Sequence, residues 1–186
     1  WYLNEEDQRD NKIVFNKKLT DFSIDKITLS HNNQKVLLEG VLRDSTYKDL
    51  RLTFNDVSLH KITPSLDSLD FGGRLNGEVS LKQDKNVFQP AAALTIDSLS
   101  LNNYQIGDLN AEISGDQSFR KFNVNTSITK DGDETFYTAG NLEIVNKQTL
   151  LSLDATFNKF SFSALQVFPK SIFPSVRRVA SGHASI

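Results

Sequence analysis

The sequence predicts an all-β fold: an elongated antiparallel sheet with one or two short helical turns. Three observations predict it. Apolar and polar residues alternate along most of the chain, clusters of Gly, Asn, Asp and Ser separate the alternating runs, and one stretch is written twice about a hundred residues apart. Alternation sends successive side chains to opposite faces of a pleated strand, so each apolar set lines one side of a sheet.

The alternating runs are 36–42, 50–54, 75–81, 94–96, 109–113, 122–128, 136–144 and 151–157. Between them stand the turn signals HNNQ (31–34), KQDKN (82–86), SGDQS (114–118) and KDGDE (130–134). Spacing of this kind gives antiparallel meanders. Asp131-Gly132 reads as a hairpin turn, because a calcium loop needs ligands over a longer frame than this one offers. Helical signal is confined to HKITPSLDSL (60–69) and SALQVFPKSIF (163–173). Both are short and contain Pro, which limits each to a turn or two.

The doubled stretch is LRLTFNDVSL (50–59), repeated as LDATFNKFSF (153–162). The correspondence extends on both sides, with Gly40 matching Gly140, Pro64 matching Pro169 and Gly77 matching Gly182. Segment 36–81 therefore corresponds to 136–186, with offsets that grow as turns gain residues and strands do not. A repeat in this order predicts an array that propagates by stacking like units. The abrupt ends, WYLNEEDQ and SGHASI, and the absence of Met predict that the 186 residues are one section of a longer protein.

Charge and composition exclude some chemistry. Lys plus Arg is 21 against 23 for Asp plus Glu, so no basic excess points to nucleic acid. There is no Cys, which removes disulfides, thiolate nucleophiles and Cys-ligated metals. No run of 18 apolar residues could span a bilayer as a helix. His31, His60 and His183 are far apart and lack ligand spacing. GGRLNG (72–77) superficially resembles a phosphate loop, but it opens a strand, so its glycines are predicted to serve a bulge or bend. Asn125-Thr126-Ser127 fits a glycosylation sequon, a pattern common by chance. No catalytic residue, metal or cofactor is predicted.

The pieces LEGVL, YKDLRLTFNDVSLHKITP, LDFGGRLNGEVSLKQ and LTIDSLSLNNYQIGDLNAEISGD resemble the carboxy-terminal region of TamB-type proteins. These form the translocation and assembly module family of Gram-negative envelopes, and the style is closest to Bacteroidetes versions. The resemblance runs from about Ile13 onward, and GGRLNG and IGDL are its more specific parts. It implies a periplasmic segment of an inner-membrane-anchored protein whose far end meets an outer-membrane barrel of the BamA type, commonly called TamA. It also implies a long, curled sheet forming a taco-shaped groove, grouped with AsmA-like and bridge-type lipid-transfer proteins, that carries phospholipid between membranes. The family has no catalytic residues to carry over.

What remains as a candidate site is the apolar face. It comprises Val36, Leu38, Leu42, Leu50, Leu52, Phe54, Leu75, Val79, Leu81, Leu94, Ile96, Ile113, Phe122, Val124, Ile128, Phe136, Leu142, Ile144, Leu151, Leu153 and Phe157. Periodicity alone favours the closed core of two packed sheets over an open groove, because most alternating faces are core. The repeat favours the groove, whose natural ligand is a phospholipid acyl chain. Two rivals stand beside it. One is an assembly factor for outer-membrane barrels that works by strand pairing. The other is a structural spacer spanning the periplasm. The cut ends also predict edge-to-edge self-association.

Overall fold

The computed structural model describes residues 1–5, 11–63, 69–145, 148–161 and 179–185. Twelve strands form one open antiparallel sheet, not closed into a barrel. They are β1 (Tyr2–Leu3), β2 (Ile13–Phe15), β3 (Asp21–His31), β4 (Gln34–Arg43), β5 (Tyr47–Ser58), β6 (Phe71–Asp84), β7 (Val87–Leu101), β8 (Tyr104–Gly115), β9 (Lys121–Lys130), β10 (Asp133–Val145), β11 (Gln148–Ser161) and β12 (Val179–Ser185). Among the described residues one helical turn, α1 (Leu59–Ile62), leads from β5 towards β6. It falls within the first predicted helical segment; residues 64–68, and all of 163–173, lie outside the described residues.

From β3 to β12 each strand pairs with the next in sequence, a plain meander. At one margin β1 and β2 share the outer edge of β3, β1 opposite Leu29 and Ser30 and β2 opposite Phe22 to Ile24. Two-residue turns close several hairpins. Asp131 and Gly132 have φ of 54° and 86°, and Asn102 and Asn103 have 46° and 65°. Turns of that hand match the twist of the flanking strands, and Asn, Asp and Gly tolerate them best. A longer turn hangs on Asp116, whose carboxylate accepts from the Ser118 hydroxyl (2.8 Å) and from the N–H groups of Arg120 (3.1 Å) and Lys121 (3.2 Å). These bonds, the Ser118 hydroxyl foremost, hold its pKa below the ordinary carboxylate value. The hold is therefore complete above that ordinary value and is lost as pH falls through the lowered one.

The strands carry a bulge that the alternation did not announce. The register slips between Ile24 and Ile27 in β3, Phe54 and Val57 in β5, Ile96 and Leu99 in β7, and Phe157 and Phe160 in β11. At each slip the sequence is alike: SIDKIT (23–28), TFNDVS (53–58), TIDSLS (95–100) and TFNKFS (156–161). The fourth residue of each has positive φ, namely Lys26 (38°), Asp56 (51°), Ser98 (55°) and Lys159 (52°). One extra residue locally increases strand bend and twist, so bulges on alternate strands help to curl the sheet. The two doubled stretches share this geometry in detail. Phe54 lies opposite Val36 and Gly77, and Phe157 lies opposite Phe136 and Gly182.

A bulge leaves a backbone N–H off the ladder, and the next strand accepts it. Asp56 N–H donates to Asn76 Oδ1 at 2.8 Å, and Ser98 N–H donates to Asp108 Oδ1 at 2.8 Å. Asn76 also donates to Asp97 Oδ2 at 3.1 Å. GGRLNG and IGDL thus each contain the acceptor that satisfies the bulge of the preceding strand. Asn76→Ala is expected to cost about 1–2 kcal/mol, since it strips a part-buried donor of its partner. Urea denaturation should show a lowered midpoint with an unchanged slope.

Two glycines allow unusually close strand approach. A Cβ built on Gly40 would lie 2.1 Å from Asp49 O, and one on Gly77 would lie 2.1 Å from Ala93 O. Both also have positive φ, 143° and 117°. Gly77→Ala should therefore destabilise by about 3 kcal/mol through clash and strain together. Gly132→Ala, with φ of 86° and nothing within 4 Å, should cost only about 1 kcal/mol. Equal denaturation midpoints for the two variants would refute the close-approach argument.

Burial is concentrated at one end of the strands. Val57, Leu59, Leu75 and Leu99 form a closed cluster, with Val36, Phe54, Phe71, Leu94, Ile96, Ile106 and Leu109 against it. Leu59 is the buried residue of α1, so the helical turn covers this end. Beside it, Tyr104 on β8 hydrogen-bonds Ser161 on β11 at 2.7 Å. In a flat sheet strands three positions apart lie about 14 Å from each other, so the sheet bends strongly there.

Candidate functional site

Strand register places all 21 predicted residues on the same face of the sheet. Residues paired across antiparallel strands share a face, so the pairings can be followed as rows that cross the strands. One row runs Leu38–Leu52–Val79–Ala92–Ile113–Val124–Gly140–Leu153. On one side of it lies Val36–Phe54–Gly77–Leu94–Ala111–Thr126–Thr138–Ala155, and beyond that Val57–Leu75–Ile96–Leu109–Ile128–Phe136–Phe157. On the other side lie Leu50, Leu81 and Pro90, then Phe122, Leu142 and Leu151. Leu42 and Ile144 complete the set at the rim, opposite Lys48 and Thr149.

The rows do not fade at the β1/β2 margin. Leu3 faces Leu29, which faces Val36; Ile13 faces Ile24; Phe15 faces Phe22, which faces Leu42. Their aromatic members cluster at each end of the strands. Phe136, Phe157 and Phe160 sit with ring centroids 5.2–5.8 Å apart, and Phe119 lies 5.8 Å from Phe88 and 5.5 Å from Phe122.

The face is not uniform in burial. Near α1 it is closed: Val57 is 0% exposed, and Leu75 and Ile128 are each 7% exposed. Away from α1 it is open: Val79 is 37%, Ile144 41% and Leu151 50% exposed. Leu38, Leu52, Leu81, Val124 and Leu153 are half-buried by their neighbours in the row. The predicted site therefore divides into a small core under α1 and a broad apolar surface beside it. Alternation missed Val57, Leu59, Leu99 and Leu101, four of the buried apolar residues of the core.

The opposite face is polar. Arg51 reaches Glu39 at 3.5 Å and Glu78 at 3.2 Å, all three partly exposed, which makes these pairs worth about 1 kcal/mol or less. A cavity of about 450 Å³ lies on this side, lined by Ser23, Asp25, Glu39, Asp49 and Arg51 among others. Its mixed charges select no ligand class. His60 Nδ1 lies 2.8 Å from Asp70 Oδ1, both exposed, which tethers α1 to the start of β6. His31 stacks beside Trp1 at 5.8 Å. Among the described residues no group of three or more His, Asp or Glu side chains could hold a metal ion. No described helix is long and apolar enough to cross a membrane.

The rim away from α1 carries a cation on the apolar side. Lys48 lies between Leu42 and Gln83, and Gln83 lies opposite Phe88. Gln83 is buried, its Nε2 donating to Ser45 O (2.8 Å) and Lys85 O (2.6 Å), and Lys48 Nζ donates to its Oε1. Comparison with family profiles, curated proteins and solved structures finds no match to this chain.

Proposed function

We propose that this chain is a periplasmic segment of a TamB-like envelope protein that conducts phospholipid acyl chains between the inner and outer membranes along its apolar face. One observation carries the reading: rows of apolar side chains cross the sheet from the β1/β2 margin to β11, half-buried along most of their length and exposed at Leu3, Ile13, Phe15, Leu29, Val79, Ile144 and Leu151. A contiguous exposed apolar surface marks a binding site. Each CH₂ placed on it gains about 0.8 kcal/mol, spread evenly along the track. Conduction needs weak, repeated contacts of this sort and no nucleophile or metal. In this reading 36–81 and 136–186 are successive copies of one unit, which the shared register of Phe54 and Phe157 supports.

Mass spectrometry of the purified chain tests it. Phospholipid should co-purify and should be absent from a control protein prepared identically. Chain free of lipid, and unable to take it up from vesicles, would remove the proposal.

A second reading is assembly of outer-membrane barrels by strand pairing at a margin of the sheet. The β3 margin is less suited to it, because β1 and β2 already break that edge into two short strands. Strand pairing predicts self-association or crosslinks to a BamA-type partner through 179–185. Crosslinks there, with no lipid bound, would put this reading ahead. A structural spacer predicts neither result.

A further inference from the structure

We propose that Lys48, held by Gln83, is the headgroup site of the apolar face: it takes the phosphate of an anionic phospholipid whose acyl chains lie over Leu50, Leu81 and Leu52. The inference rests on the lipid-conducting reading and adds where the lipid's polar end goes. Three observations carry it.

The first is asymmetry. One end of the strands is sealed by Val57, Leu59, Leu75 and Leu99 under α1, whereas the other end is half-buried around Lys48 and exposed at Ile144 and Leu151. An amphiphile on this face must keep its charged group near water, so its head belongs at the open rim. The second is position. Lys48 precedes Leu50 and Leu52 on the same face of β5, and its cross-strand neighbours Leu42 and Gln83 are themselves flanked by Phe22 and Phe88. A lysine there places charge at the end of the apolar run Leu50, Leu52 and Phe54 along β5. The third is incomplete pairing. The ammonium offers three donors, and a neutral amide takes one. Among the described residues no carboxylate forms an ion pair with it. Asp44 is near enough to feel its charge, but that carboxylate is occupied by the N–H and hydroxyl of Thr46, at 2.6 and 2.7 Å. Gln83, anchored by two carbonyls, fixes the amine without neutralising it. A phosphate oxygen supplies the missing charge in a charge-assisted hydrogen bond.

The test uses the whole chain and a phosphatidylglycerol labelled at the end of one acyl chain, followed by fluorescence anisotropy. Unlabelled dioleoylphosphatidylglycerol, dioleoylglycerol and glycerol phosphate serve as competitors. Dioleoylphosphatidylglycerol should compete about tenfold better than dioleoylglycerol, the size of one charge-assisted hydrogen bond. Lys48→Gln should erase that preference and leave dioleoylglycerol unchanged. Lys82→Gln, on the opposite face, should preserve it. Circular dichroism should confirm that both variants keep the strand signal.

A preference that survives Lys48→Gln overturns the proposal. So does loss of preference in Lys82→Gln, which would mean general surface charge. Displacement by glycerol phosphate as strong as by the phospholipid would mean a free-phosphate site and equally overturns it. Equal affinity for the two lipids in the unmodified chain removes the headgroup site alone. Failure to bind either lipid removes the acyl track and the headgroup site together.

Discussion

Val57→Asp is expected to leave no cooperatively folded protein. Val57 is fully buried among Leu59, Leu75 and Leu99, the closed core cluster of the described residues. An unpaired carboxylate placed there costs several kcal/mol, against a total stability of about 5–15 kcal/mol for a domain. Val57→Ala, which only opens space, should remain folded and lose about 2 kcal/mol. Thermal melting followed by circular dichroism distinguishes the two: a sigmoidal transition for Ala and none for Asp. A Val57→Asp protein with an ordinary melt would show that the cluster under α1 is not what holds the sheet.

Leu52→Asp and Leu153→Asp are expected to do the reverse, sparing the fold and abolishing lipid binding. The two residues occupy the same row of the apolar face, and both are half-buried. Their carboxylates can reach water, so the stability loss should stay near 1–2 kcal/mol, within the range of ordinary substitutions. An acyl chain crossing the row would meet a hydrated charge, which interrupts the apolar track. Folded variants that no longer bind phospholipid, and that fail to restore envelope integrity in the intact protein, are the expected result. Unfolding of both variants would mean that the row is closed core. Folded variants that bind lipid fully would take the face out of the mechanism and favour strand pairing instead.

Much of this fold was legible in the sequence because a strand's period is two and apolar residues obey it locally. Residues 50–54, 75–81 and 122–128 each read as one face without reference to any neighbour, and register then brought all 21 marked residues to the same side. Turn chemistry was equally local: Asp131-Gly132 and Gly77 announce positive φ by residue type. The sequence by itself thus determined that the chain is a meander of strands with one apolar side.

What it could not show was where the phase slips. In β3, Phe22 and Ile24 are followed by Ile27 and Leu29, so a strict alternation breaks at Asp25-Lys26 and the strand is lost to view. The same slip after Phe54 and after Ile96 hid Val57, Leu59, Leu99 and Leu101, which alternation assigns to the polar side and which are buried in the core. A bulge depends on ladder bonds to the next strand, and on Asn76 and Asp108 accepting the displaced N–H groups. Those partners are ten to twenty residues away in sequence and adjacent only in the sheet. Only the tertiary structure decided that one end of the apolar face is sealed under α1 and the other is open. That outcome depends on how far the bulged strands bend and on which rows the helical turn covers, and neither is a property of any single strand.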